Sequence, residues 1–132
     1  PAVAAPVPPH VRVDAARAGR FQFGFRCARV AVLASGGGSN LQALLDHAAR
    51  LGSARAYDVA LVAANAATAG ALDRARRHDV AAAVLDDSAD GDRILALLDA
   101  HAIDLVVLAG YLKLVPAAVA RRFHGRMLNV HP

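Results

Sequence analysis

The stretch RVAVLASGGGSNLQALLD, residues 29–46, decides the fold. Val30–Ala34 is a compact apolar run, short enough for a buried strand. Gly36-Gly37-Gly38 interrupts it. Leu41, Leu44, Leu45 and Ala48 then recur at i, i+3, i+4 and i+7, the stripe of an amphipathic helix. Ser39 or Asn40 is placed to cap that helix. A strand, a glycine turn and a helix in this order form the opening unit of an α/β sheet.

The same rhythm continues downstream. Val59–Ala63 is the second strand, and Ala71 to His78 is a helix with Arg74, Arg76 and Arg77 on its wet side. Val80–Leu85 is the third strand. Ile94, Leu97 and Leu98 mark a third helix, with Asp90 as its cap. Leu105–Ala109 is the fourth strand. A short helix runs from about Pro116 to Arg122, since proline suits a first helical turn. Met127–Val130 is the fifth strand. Apolar strands without polar alternation are buried on both faces, so the pattern predicts a mainly parallel sheet with helices on both sides. Ligands of such sheets bind at the carboxyl ends of the strands. The loops after the first, fourth and fifth strands are therefore where chemistry is to be sought.

Composition narrows the class. The chain has 132 residues, the length of one domain, and 56% are hydrophobic, a figure inflated by alanine. No apolar run reaches the roughly 18 residues of a membrane span. The net charge is +4, but Arg12, Arg17, Arg20 and Arg26 stand against Asp14 alone before residue 29. Most of the excess thus belongs to residues 1–28, a Pro/Ala/Arg-rich segment read as a flexible tail without signal or transit character. Residues 29–132 are nearly neutral, which argues against a nucleic-acid partner. Cys27 is the only cysteine, so no internal disulfide forms, in keeping with a cytoplasmic protein. It lies outside every motif and reads as an ordinary thiol. His47, His78, His101 and His124 share no ligand spacing, and His10 lies in the tail, so no metal site is expected.

Three constellations could carry chemistry. Ser35-Gly36-Gly37-Gly38-Ser39-Asn40 opens the first helix, where free N–H groups and the positive dipole end suit a phosphate. It lacks the Gly-Lys-Ser/Thr of a P-loop, and Leu41 replaces the third glycine of a dinucleotide fingerprint. A plain strand-to-helix turn is the alternative. Asn129 and His131 sit two apart at the end of the fifth strand, roughly 6.5 Å from each other on one face, with Val130 turned to the core. An amide can hold an oxyanion and an imidazole can move a proton. Ordinary polar residues at a strand end are the alternative. Gly110-Tyr111-Leu112-Lys113-Leu114-Val115 could line a pocket for a flat ring, or simply pack over the sheet edge.

RVAVLASGGGSNLQALLD, DLVVLAGYLKLV and GRMLNVHP, in this order and spacing, resemble the phosphoribosylglycinamide formyltransferase family over nearly all of residues 29–132. The resemblance implies a Rossmann-like formyltransferase fold, truncated relative to that family. It implies formyl transfer from 10-formyltetrahydrofolate, a co-substrate, to the amine of glycinamide ribonucleotide in purine biosynthesis, with no metal. By position, Gly37, Gly38, Ser39 and Asn40 would hold the substrate phosphate, and Asn129 and His131 would be catalytic. Leu112, Lys113, Leu114, Val115 and Met127 would flank the folate. The family's catalytic Asp falls beyond Pro132, so the chain on its own is expected to be inactive and to fold poorly. The segment Asp86–Arg93 is shorter than usual, so no folate-tail contact is assigned to Arg93, and Pro116 is shifted by one position. Formyltetrahydrofolate deformylase and methionyl-tRNA formyltransferase share the chemistry, but neither needs the glycine-rich phosphate cradle. A non-catalytic nucleotide-binding module is the reading from another class. Small-molecule substrates are the expected partners, and the sequence leaves the oligomeric state open.

Overall fold

The computed structural model describes residues 27–130. Residues 1–26, nearly all of the segment read as a tail, and the pair His131-Pro132 fall outside the described residues, whereas Ala28, counted in that segment, opens the first strand. The elements are β1 (Ala28–Ala34), α1 (Ser39–Leu51), β2 (Tyr57–Ala64), α2 (Gly70–Arg77), β3 (Ala81–Val84), α3 (Gly91–Ala100), β4 (Leu105–Ala109), α4 (Ala117–Arg122) and β5 (Met127–Val130). A single 3-10 turn, Gly52–Ala54, follows α1. All strand pairs are parallel, and the order across the sheet is β3-β2-β1-β4-β5. The chain first steps outward from β1 to β3. It then crosses back to place β4 on the other side of β1. The point of reversal, between β1 and β4, is where a parallel sheet opens a crevice at its carboxyl edge.

Side chains alternate between two cores, as a strand's twofold period requires. Val30, Val32 and Ala34 of β1 face α1 and α2, meeting Leu41, Leu45 and Leu72. Ala31 and Leu33 face α3 and α4, meeting Ile94, Leu98, Val119 and Phe123. One irregularity breaks the alternation. Val30 pairs with Val59 but Ala31 pairs with Leu61, so Ala60 bulges out of the ladder. Ala60 and Leu61 consequently join the same core, one after the other.

Two expectations are corrected here. Val130 does not turn into the core: it is 41% exposed, and Leu128 is 57% exposed. The reason is topological. β5 is an edge strand, paired only with β4, and no described element covers its outer half. The first helix is also not capped by Ser39 or Asn40. Its N-cap is Gly38, which has no side chain to offer. Asp90, by contrast, caps α3 by accepting from the Arg93 N–H at 3.1 Å. Pro116 stands at the N-cap of α4, one place before the first helical residue.

Candidate active site

The first loop turns on Gly38. Its φ of +84° is left-handed, which side chains rarely adopt. A Cβ there would also come within 2.9 Å of the Ala71 backbone on α2. Conformation and space both demand glycine. Because the left-handed residue swings the chain straight into the helix, Ser39 is already helical, and the first intrahelical bond runs from the Gln42 N–H to the Gly38 carbonyl at 2.8 Å. The N–H groups of the first turn precede that bond and stay available.

The loop after β4 closes against this one. Ser35 joins them: its N–H donates to the Gly110 carbonyl at 3.3 Å, and its Oγ accepts from the Leu112 N–H at 2.8 Å. Gly110, at φ +70°, makes the turn that brings Leu112 over the glycines. Between the two loops lies an open cleft of about 290 Å³ at the β1/β4 reversal point. Ser35, the glycine loop, Asn40, Ala109 and Leu112 line it.

Of the residues singled out in the sequence, the structure gathers Gly37, Gly38, Ser39, Asn40 and Leu112 around this cleft. In the β4 loop, Tyr111 and Val115 pack inward against the α3/α4 core, while Leu112 and Leu114 point out, at 74% and 92% exposure. Lys113 between them is exposed too. Asn129 is exposed on β5, in register with Leu108. Met127 is at the far end of β5, packed against the α3/α4 core, about 10 Å along the strand from Val130. The structure does not bring it to the cleft. His131 lies outside the described residues.

Three residues at this end have surroundings that the sequence reading did not foresee. Arg74 is not simply on the wet side of α2: it is half-buried, and its Nε donates to the Gly37 carbonyl at 2.6 Å. Arg76 and Arg77 are exposed, as read. Tyr111 has a buried hydroxyl with no hydrogen-bond partner among the described residues, and burial raises its pKa. Asn65, just past β2, has a buried Oδ1 in the same condition. Asn65 left a sequence signal, a lone amide ending an apolar strand, and Tyr111 stood within the loop read as a possible pocket lining.

Three of the histidines each meet a different neighbour. His47 stacks on Tyr57, His78 meets Gln42 Nε2 at 3.0 Å, and the His101 ring bonds the Leu97 carbonyl. Cys27 is buried, with its thiol donating to Asp58.

Comparison with known proteins decides the family. The sequence profile described as formyl transferase matches residues 28–132, nearly the whole described chain. The chain belongs to the formyl transferase family. Among its relatives, the phosphoribosylglycinamide formyltransferase of Escherichia coli is 38% identical over 109 residues, covering 78% of this chain and 50% of that protein. The human trifunctional purine biosynthetic protein adenosine-3 is 36% identical over 118 residues, 85% of this chain and 12% of that protein. The crystal structure of glycinamide ribonucleotide transformylase 1 from Geobacillus kaustophilus superposes with a TM-score of 0.73 at 33% identity, covering 81% of this chain and 59% of that one. The chain thus spans about half the length of its bacterial formyltransferase relatives. The five-stranded parallel sheet is the formyltransferase fold, Rossmann-like in its strand order.

Proposed function

We propose that this chain forms the ribonucleotide-binding half of a phosphoribosylglycinamide formyltransferase, acting in purine biosynthesis. The observation that carries the reading is the cleft at the β1/β4 reversal. There the glycine loop from Gly37 to Asn40, with its N–H groups unspent, lies across from Leu112, the first exposed residue of the loop after β4. A phosphate suits the first wall, since backbone donors and a helix N-terminus favour an anion. A flat pterin suits the second, with the exposed Leu112 and Leu114 giving it apolar contact and Lys113 a charge beside it. Met127 would meet only a ligand extended along β5. 10-Formyltetrahydrofolate enters as a co-substrate, and the reaction needs no metal. A cytoplasmic location follows from the soluble substrates of purine synthesis.

In this reading the substrate amine attacks the formyl carbon of the folate. The carbonyl oxygen gains negative charge in the tetrahedral intermediate, and the Asn129 amide N–H donates to it. Collapse breaks the bond to the folate nitrogen. The amine loses a proton, the folate nitrogen gains one, and His131 carries the transfer near neutral pH.

The test is a formyl-transfer assay with glycinamide ribonucleotide and 10-formyltetrahydrofolate on a full-length formyltransferase that carries this sequence. Asn129→Ala should lower turnover by roughly 10²–10³ while leaving the thermal midpoint in place, because Asn129 is exposed. A variant with near-normal turnover would remove Asn129 from the chemistry. Binding of common mononucleotides as tight as that of glycinamide ribonucleotide would favour a general nucleotide module instead.

A further inference from the structure

We infer that Arg74 is a positioning residue for the glycine loop: from α2 it orients the Gly37–Gly38 peptide so that its N–H faces the cleft. The inference rests on the phosphate reading of that loop. α2 carries three arginines. Arg76 pairs with Asp73 at 3.3 Å, and Arg77 is exposed. Arg74 alone reaches back to the loop.

Its guanidinium makes two bonds at once. Nε donates to the Gly37 carbonyl at 2.6 Å, and Nη1 donates to Gln42 Oε1 at 3.2 Å. Gln42 belongs to the first turn of α1, so one side chain ties the loop to the helix it opens. A second tether runs from the same helix, where the Ala71 N–H donates to the Gly36 carbonyl at 3.0 Å. Two successive carbonyls are thereby drawn toward α2. No described peptide bond is cis, and in a planar trans peptide the C=O and the following N–H point in opposite directions. The N–H groups of Gly37 and Gly38 are therefore turned away from α2. Neither donates to another described residue. The free N–H groups of Ser39 and Asn40 continue the row, and successive N–H groups aimed to one side form an anion-binding concavity.

The loop needs an outside tether. A Cβ built on Gly36 or Gly37 would meet nothing within 4 Å, so that face of the loop is open, while on the other face the Gly37 backbone rests against Gly70, whose own Cβ would come within 3.2 Å of it. Glycine also loses more freedom on ordering than any other residue. An arginine suits the task because its planar fork reaches two acceptors in fixed directions, where an ammonium acts as a point donor. Its charge is also left for the ligand. Among the described residues, carboxylates pair with Arg55, Arg76 and Arg122 but not with Arg74. Fixing donors before the ligand arrives lowers the ordering cost of binding.

Calorimetry on the protein separates the parts of this inference. The probes are glycinamide ribonucleotide and the same molecule without its phosphate. The wild-type protein should prefer the phosphorylated probe. Arg74→Met should cut that preference about 10-fold, the scale of a lost hydrogen bond to a charged group, and leave binding of the phosphate-free probe unchanged. Arg74→Lys keeps the charge but not the fork, so it should recover only part of the preference. In turnover by a full-length formyltransferase that carries this sequence, KM for the ribonucleotide should rise while kcat and the folate KM hold. A wild-type preference retained in full by either variant would overturn the role of Arg74 and leave the phosphate reading standing. Equal loss for both probes would mark Arg74 as merely structural. A wild-type protein blind to the phosphate would overturn the loop reading and the inference together.

Discussion

The two ends of the sheet are built to opposite rules. At the amino end, polar groups are paired with one another. The Asp104 carboxylate, buried, accepts from the Arg29 N–H at 2.8 Å, and the Asp104 N–H returns a bond to the Arg29 carbonyl at 2.8 Å. Arg29 Nε donates to the His101 carbonyl, Arg55 pairs with Asp58, and the Cys27 thiol donates to the same carboxylate. At the carboxyl end, N–H groups of Gly37 and Gly38, the Tyr111 hydroxyl and the Asn65 carbonyl oxygen have no partner among the described residues. Leucines there stand in water. Leaving a buried polar group unmet costs stability. One end of this fold therefore spends its polar groups on itself, and the other holds them for something else.

Gly38→Val should break the contrast most severely. The substitution puts a β-branched residue at φ +84° and a Cβ 2.9 Å from the Ala71 backbone. Strain and clash together should lower stability by about 3 kcal/mol or more. Ribonucleotide binding should suffer more than folate binding. Chemical denaturation and calorimetry measure the two effects, and equal losses for both ligands would detach Gly38 from the phosphate.

Asp104→Ala attacks the other end. It leaves the Arg29 N–H without its acceptor, so stability should drop by about 2 kcal/mol, seen as a lower denaturation midpoint. The ratio of ribonucleotide affinity to folate affinity should not move. A change in that ratio would mean that the two ends are coupled.

Tyr111→Phe gives the smallest effect and the opposite sign. Removing a buried hydroxyl that no described residue satisfies should stabilise the protein by about 1 kcal/mol. The alkaline limb of stability should flatten as well. Burial raises the pKa of Tyr111, and of Tyr57, whose hydroxyl donates to the Leu44 carbonyl. Their contributions are complete below the unfolded tyrosine value of about 10 and are lost as pH rises from there through the higher folded values. A destabilised Phe variant would show that the Tyr111 hydroxyl has a partner in the native protein.

Much of the scaffold was readable because it rests on local pattern. Leu105–Ala109 and Met127–Val130 stand where their apolar runs put them, and the i, i+3, i+4 leucines of α1 do face the core. What escaped is set by distance in the chain. Hydrophobic period cannot tell which helix face meets a loop 37 residues away, so Arg74 looked like one more solvated arginine. Val130 was expected inside because a strand's alternation says nothing about whether the strand lies at the sheet edge. Strand order, and with it the place of the cleft, follows from crossover direction and not from the alternation of elements. In the candidate site, the glycine loop was visible as composition, whereas the left-handed Gly38 that leaves its donors open shows only in the backbone angles.

The bulge in β2 bears on which changes of chain length the fold can absorb. Val59 and Leu61 are partnered by the consecutive residues Val30 and Ala31, and Ala60 stands outside that count. A gene that lost the Ala60 codon would encode a strand in perfect step with β1, every remaining side chain on its own face. Loss of a codon within the regular run Leu61–Ala64 would instead exchange the two cores for all residues on one side of the gap. Ala60 is thus the spare residue of the sheet, the position where descent could shorten the central strands without rewriting them.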